Sequence, residues 1–358
     1  MKILQNIVIY LLPLLLLASC TEGQLKSLEP KANAYGNINN IVVVADETMM
    51  NSAPGDSLLY YLQSAYPILP SPEPLFDVKV YSPAQVLQSK QRRELRTYVV
   101  LADMSDKDSP ATQMVLRDLG EENVRGVLEL KGFGTKVVKD RWAQGQLLLY
   151  VFAKDKATLT DNVTRSFPGI VQRVNEFDSK QVMTTAFFKG DNRALEQEIL
   201  DSLGLKIRLP QDYKKAVYDQ ERNTYWVRFD EKEYTYNILL HKEDYRDKNQ
   251  LTRENFIAVR DTIGQLVATN EPDSRMVIND EDLPLYVKGT TVNGNFALKA
   301  NGIWEIENDF MGGPFVSYLI HNPNTDEIVL ADGFLFAPGK TKREALQVLE
   351  NILQTIKF

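Results

Sequence analysis

The stretch Thr224-Tyr225-Trp226-Val227-Arg228-Phe229, with Tyr234-Thr235-Tyr236-Asn237-Ile238-Leu239-Leu240 shortly after it, decides how the second half of this chain folds. Aromatic and β-branched residues alternate with polar ones, the pattern of strands that bury one face and wet the other. Working outward, Lys206-Ile207-Arg208-Leu209-Pro210 precedes them, and Asn295 to Glu305, Phe315 to His321 and Ile328 to Phe336 follow. All read as strands of one antiparallel sheet. Three helices are expected to cover it. Asn192 to Leu203 places Leu195, Ile199 and Leu203 on one face and stops at Gly204; Thr252 caps a helix running to Val267; Lys342 to Ile356 aligns Ala345, Leu349, Ile352 and Ile356.

The first half has another texture. Asn40 to Asp46 is a β-branched run ending in polar residues, the mark of a buried strand. Gly55-Asp56-Ser57 precedes a helix at Leu58 to Leu62, and strands at Phe76–Tyr81, Tyr98–Ala102 and Gln146–Phe152 alternate with helices at Pro83–Leu95, Pro110–Leu119 and Lys156–Phe177. This β-α-β-α order predicts an α/β layer domain and leaves open whether its strands are parallel or mixed. Ile68-Leu69-Pro70-Ser71-Pro72-Glu73-Pro74-Leu75-Phe76 cannot be helical, because its prolines remove donors and hold their predecessors extended. The fold class is α+β: two α/β-sandwich domains, 37–190 and 191–358, the second an antiparallel sheet with covering helices.

Residues 1–19 read as a leader and 20–36 as a polar tether. Ile7 to Ala18 is an apolar run of signal-peptide length, too short to span a bilayer, and Leu17-Ala18-Ser19-Cys20 closes it with the only cysteine in the chain. The pattern resembles the lipobox of bacterial lipoprotein precursors. That resemblance implies acylation of Cys20, cleavage before it and acylation of the new amine. Three chains exceed the two that stable anchoring takes, so the membrane is an expected partner through the N-terminal lipid. Thr21 in place of an inner-membrane retention signal, and Glu22 as the only acid close by, point to an outer membrane and its periplasmic side. The formal charge of −7 becomes −8 once Lys2 is removed, which argues against nucleic acid as a partner. With Cys20 acylated, no thiol is left for a disulfide, a metal or a nucleophile.

Leu209, Pro210 and Tyr213, then a helix, three strands and a C-terminal helix, resemble the order of the Mog1/PsbP-like sandwich. The lipobox, the Val-rich first strand, Leu69-Pro70-Ser71-Pro72-Glu73-Pro74, Asp309-Phe310-Met311-Gly312-Gly313-Pro314-Phe315-Val316-Ser317 and Asp332-Gly333-Phe334 resemble the DUF4837 family of Bacteroidetes lipoproteins across nearly the whole chain. The resemblance implies an envelope location and supplies no catalytic residue.

Asp309, Phe310, Met311, Gly312, Gly313 and Pro314 form the oddest local sequence, beside Trp304. They read either as a loop for a ligand or partner, or as a bend in which glycine supplies positive φ. His241 and His321 stand alone, without a second ligand at metal spacing or a nucleophile elbow, so no metal and no cofactor are expected. Asp46-Glu47, Glu121-Glu122, Asp280-Glu281-Asp282 and Glu305-Glu307-Asp309 read as solvated loops or edges; a glycosidase would need two carboxylates about 5 to 10 Å apart across a cleft. Gly132-Phe133-Gly134-Thr135-Lys136 lacks the ending of a phosphate loop and reads as a turn. Tyr225, Trp226, Tyr234, Tyr236, Tyr286 and Trp304 could line a ligand-binding sheet face. The function these readings favour is a non-catalytic binding or assembly accessory with an envelope protein partner. The alternative is an envelope hydrolase acting on glycan or peptide.

Overall fold

Apolar runs buried on both faces organise the first part of the computed structural model, which describes residues 31–358; Leu17–Cys20 and the start of the tether lie outside the described residues. Strands β1 (Asn40–Val44), β2 (Asp77–Tyr81), β3 (Thr97–Asp103), β4 (Phe133–Lys139) and β5 (Leu147–Ala153) form one sheet in the order β2-β1-β3-β5-β4. The first four in that order are parallel and β4 is antiparallel to β5, which resolves the parallel-or-mixed question as mixed. Counting only helices of ten residues or more, α1 (Ala53–Leu62) and α4 (Lys156–Ala186) cover one face, and α2 (Pro110–Leu119) and α3 (Glu121–Lys131) the other. Every residue of β3 and of β5 is consequently buried.

Several expected boundaries shift. Helix α1 starts at Ala53, ahead of Leu58, because Ser52 and Pro54 already form a helix start. Its Gly55 lies so close to the preceding turn that a Cβ would sit 2.5 Å from the Met49 carbonyl oxygen. The segment Pro83–Leu95 breaks into Pro83–Leu87 and Lys90–Arg93, since Ser89 accepts from the Arg92 N–H at 3.3 Å and recaps the chain. Glu121 and Glu122 are the first turn of α3, where negative charge favours the helix dipole, and not a loop. Gly132 caps that helix at φ +73°, and Phe133–Lys136 belong to β4, so neither a turn nor a phosphate loop is present there.

The second sheet contains β6 (Lys214–Asp219), β7 (Thr224–Glu231), β8 (Tyr234–Asp244), β9 (Met276–Ile278), β10 (Tyr286–Val292), β11 (Asn295–Ile306), β12 (Gly312–Asn322) and β13 (Glu327–Phe336). The order is β10-β11-β12-β13-β8-β7-β6, antiparallel throughout, with β9 paired to β11. Helices α5 (Arg193–Leu203) and α7 (Arg343–Leu353) pack on one face and α6 (Arg253–Gly264) on the other. This is the expected antiparallel sheet with covering helices. Lys206–Pro210 is not a strand; it makes only single bridges, Lys206 to Lys357 and Pro210 to Asp191.

A buried ion pair fixes α6 on the sheet. Asp332 lies in β13 and Arg260 in α6, both side chains without solvent exposure, with Arg260 Nε 3.0 Å from Asp332 Oδ1. The Ser317 hydroxyl of β12 donates to the same carboxylate oxygen, and the guanidinium carbon stands 3.9 Å from the Phe315 ring centroid. On the opposite face Gly333 lets α7 approach: a Cβ there would lie 3.1 Å from Leu349 Cβ and 3.3 Å from Leu353 Cδ1.

The proline-rich connection joins the two sheets. Tyr66 and Leu69 pack against the core between the second sheet and α7, and Ala65 bridges Pro74. Glu73 then caps α7 from another part of the chain, accepting from the Lys342 N–H at 2.5 Å and the Arg343 N–H at 3.1 Å. Arg343 returns the contact, donating to the Pro74 carbonyl at 2.6 Å and pairing with Asp77 at 2.7 Å. Asn39 and Gln347 exchange two amide hydrogen bonds of 2.9 and 3.0 Å. The expected tether ends before residue 36: the Ala34 N–H donates to Gln144 O at 2.7 Å and Tyr35 N–H to Glu94 O at 2.9 Å.

Removing one member of a buried pair strands the other charge. Arg260→Ala or Asp332→Ala is expected to lower the unfolding free energy by roughly 3–5 kcal/mol in urea titrations, whereas Arg260→Met combined with Asp332→Leu recovers most of that loss.

Candidate functional site

The β11–β12 turn is built from short local bonds. The Ile306 N–H donates to Met311 O at 2.8 Å and the Asp309 N–H to Ile306 O at 3.2 Å, while Asn308 sits at φ +65°, a conformation Asn tolerates better than most residues. Asp309 Oδ1 accepts from the Phe310 N–H at 2.6 Å. Phe310 is thereby presented at the turn with its side chain fully exposed, and Met311 is half-buried behind it.

Gly312, Gly313 and Pro314 do not belong to that turn. They lie in β12, registered against Glu305, Trp304 and Ile303. Neither glycine has a positive φ. Glycine is needed instead for close approach: the Trp304 indole reaches past Gly313 and donates to Leu335 O at 3.2 Å, and a Cβ on Gly313 would stand 2.0 Å from that oxygen. A Cβ on Gly312 would lie 2.8 Å from Trp304 O. The six expected site residues thus divide into a projecting part, Asp309 to Met311, and a sheet part, Gly312 to Pro314.

The base of the hairpin borders a cleft of about 470 Å³ whose lining includes Asp261, Arg275, Asn279, Asp280, Glu305 and Glu307. Arg275 pairs with Glu307 through Nε at 2.5 Å and Nη2 at 3.2 Å, which lowers the Glu307 pKa. Asn279 Nδ2 holds Glu305 at 2.7 Å, and Arg253 holds Asp280 at 2.9 Å. Asp261, on α6, is raised by burial even though the Ile278 N–H donates to it at 3.0 Å. The cleft carries more carboxylates than cations, a field that favours cationic groups. Asp280–Asp282 and Glu305–Glu307 were legible as acidic clusters. Nothing local tied Asp261 or Arg275 to this cleft. Arg275 arrives next to the three-residue strand β9, which pairs with β11, and Asp261 arrives on α6, where it accepts from the Ile278 N–H of that strand.

The other sequence candidates are dispersed. His241 Nδ1 lies 2.9 Å from Thr224 Oγ1, and burial lowers its pKa. His321 packs against Tyr245 with ring centroids 4.2 Å apart and planes tilted by 43°, and β13 lies between the strands that carry the two histidines. Among the described residues no group of three His, Cys, Asp or Glu is arranged to hold a metal. Tyr225 and Tyr236 are core residues under α5 and α7, Trp304 is core under α6, and Tyr286 is exposed, so the aromatics do not line one binding face. In the first sheet the chain leaves β1 in opposite directions, toward β2 and β3, which makes a crevice at their carboxyl ends a customary ligand site. There the Ser109 hydroxyl donates to Asp46 while capping α2, and Asp103 Oδ1 accepts from Ser105 N at 2.9 Å and Oγ at 2.7 Å. These groups close their own loops.

Fold and hairpin together define a two-sheet α+β protein whose halves are separate sequence families. Residues 192–355 match DUF4837, a domain of unknown function, and the C-terminal part of this chain belongs to that family. Residues 34–185 match DUF8532, also a domain of unknown function, so the DUF4837 resemblance expected across nearly the whole chain is confined to its second part. No curated protein matches the sequence. Among solved structures, the Ran-binding protein Mog1p of Saccharomyces cerevisiae is similar at 10% identity and TM-score 0.27, over 43% of this chain and 89% of that one. LpqN of Mycobacterium tuberculosis, described as involved in cell envelope biogenesis, is similar at 12% identity and TM-score 0.26, over 43% and 83%.

Two outcomes separate the projecting residues from the sheet residues. Gly313→Ala is expected to cost about 1–3 kcal/mol or more by overpacking, and Phe310→Ser less than about 0.5, both read by chemical denaturation. The half-buried His241 adds a pH dependence. Its folded pKa lies below the ordinary 6.5, so the unfolded chain takes up the proton first as pH falls. Stability therefore drops as pH is lowered through 6.5 and levels off below the folded pKa, and His241→Gln flattens that part of the profile.

Proposed function

We propose that this protein is a lipid-anchored envelope lipoprotein, held in the outer membrane on its periplasmic side through Cys20, that acts by binding as an assembly or accessory protein. The observation that carries the binding reading is Phe310: a large aromatic held fully exposed at a turn whose own hydrogen bonds fix it there. Exposing an aromatic ring forgoes burial energy, and aromatic anchors of this kind dominate the energetics of protein interfaces. The adjoining acidic cleft would give a partner its orientation, with a basic group entering beside the ring. The anchor itself is supported by Leu17-Ala18-Ser19-Cys20 and by the polar residues that follow. Among the described residues no helix is long and apolar enough to cross a membrane.

The hydrolase reading draws on one observation. Asp261, Asp280, Glu305 and Glu307 converge on one cleft, the gathering of carboxylates that a hydrolase would need. Hydrolysis of envelope glycan or peptide that Asp261→Asn abolishes would favour it over binding.

Anchoring and recognition are testable separately. Cys20→Ser is expected to move the protein from the detergent-extracted membrane fraction to the aqueous one. With the anchor intact, Phe310→Ser is expected to lose a partner recovered from intact envelope, and Phe188→Ser, which removes another exposed ring, to keep it. A partner retained by both variants would contradict the assignment to the hairpin.

A further inference from the structure

Where α4 and α7 run side by side, both helices turn polar faces toward each other. Gln172, Asn175, Glu176 and Ser179 on α4, and Gln347, Glu350, Asn351 and Gln354 beside and along α7, each follow the spacing i, i+3, i+4, i+7 of one helical face. A face at that spacing set against a neighbouring helix is ordinarily apolar. Here the two faces line a cleft of about 350 Å³, with Tyr66 from the loop after α1 as an aromatic wall.

Part of this polarity is used by the protein. The Ser179 hydroxyl donates to Asn351, Asn351 Nδ2 to Gln347 O at 2.8 Å, and Gln347 engages Asn39. Glu350 is held by Lys299 and by the Tyr318 hydroxyl at 3.0 Å, and Asp178 by Arg96 at 2.9 Å. Gln172, Asn175, Glu176 and Gln354 are exposed at the open part of the cleft. There Gln172 donates to Glu176 at 2.8 Å, and Gln354 Nε2 to the Tyr318 hydroxyl at 3.1 Å and to Glu350 at 3.4 Å, which leaves the whole Asn175 amide and the Gln354 Oε1 acceptor facing the opening. A primary amide offers two donors and an acceptor in one plane, and a carboxylate offers two acceptors. Spaced a helical turn apart, such groups match adjacent hydroxyls that both donate and accept. The remaining negative charge, Glu176 above all, disfavours an anion.

From this we propose that the α4–α7 cleft is a binding site for a neutral, hydroxyl-rich ligand, an oligosaccharide, whose hydroxyls bridge the amides of both helices while a ring face lies on Tyr66. Its volume is within the range of small-molecule sites, which favour junctions between domains. The site is separate from the Phe310 hairpin and stands whether or not that hairpin binds a partner. Because its two walls belong to different sheet units, an occupying sugar would tie them together and raise the temperature of unfolding.

The test is a titration of the full chain, followed by NMR, with cellotriose, maltotriose and chitotriose as neutral probes and trigalacturonate as the anionic control. The expected result is that at least one neutral trisaccharide shifts the side-chain amide signals of Asn175 and Gln354, with trigalacturonate binding at least tenfold more weakly. Asn175→Ala and Gln354→Ala, both at exposed positions and expected to fold, each weaken that binding about tenfold or more, and Phe310→Ser leaves it unchanged. Absence of binding by all three neutral sugars, equal binding of the anion, or undiminished binding in both amide variants would overturn the proposal.

Discussion

A carboxylate in the middle of an apolar sheet layer constrains everything built on that layer. Asp332 occupies β13, flanked by strands on both sides, and its charge is matched from above by Arg260 and from the side by Ser317. An unpaired charge at such a site would cost far more than the pair returns, so α6 can dock only where its arginine meets the carboxylate. That docking sets the position of Asp261 on α6 and, through it, of β9. The strand in turn pairs with β11 up to Ile306, where the Phe310 turn begins. Arg260 Nη1 and Asp332 Oδ2 find no hydrogen-bond partner among the described residues, which fits a pair that specifies one arrangement more than it adds stability.

The two halves are fused by groups that each would otherwise leave unsatisfied. Helix α7 begins at Lys342 without a side-chain cap of its own, and Glu73 supplies the acceptors from the first half of the chain. The prolines on both sides of Glu73 hold it extended, so little backbone freedom is lost when it docks. Asp178, raised by burial, is met by Arg96 and by the Asn39 N–H, whose side-chain amide continues to Gln347 on α7. Hairpin and cleft are therefore carried on one connected framework, although they draw on two sequence families.

Alternation and burial were legible in the residues wherever an element has a single role. β7, β8, β11, β12 and β13, together with α5, α6 and α7, appear where their patterns place them. The wet face expected of the strands is nevertheless absent at the centre of the sheet, where β12, β13 and the middle of β8 are buried on both faces between α5 and α7 on one side and α6 on the other. Edge elements were hidden. β6 exposes Lys214, Lys215 and Ala216, and β10 contains Gly289 and exposed Lys288, so neither shows the alternation of a half-buried strand. The motif around Gly313 was conspicuous but its cause was not. Glycine there answers to the Trp304 indole crossing from a neighbouring strand and to the Leu335 carbonyl, contacts between residues far apart in sequence. Of the site, the exposed Phe310 could be suspected from its setting, while Asp261 and Arg275 reach the cleft only through tertiary pairing.

The central claim, that the Phe310 turn is the surface through which this protein works, is tested most directly by photo-crosslinking from that position in intact envelopes. A photoreactive phenylalanine analogue replaces Phe310 in one protein and Phe188, an exposed ring elsewhere, in another. The account predicts a discrete adduct of defined mass from position 310 and none from position 188. Identical adducts from both positions, or none from position 310, would contradict it.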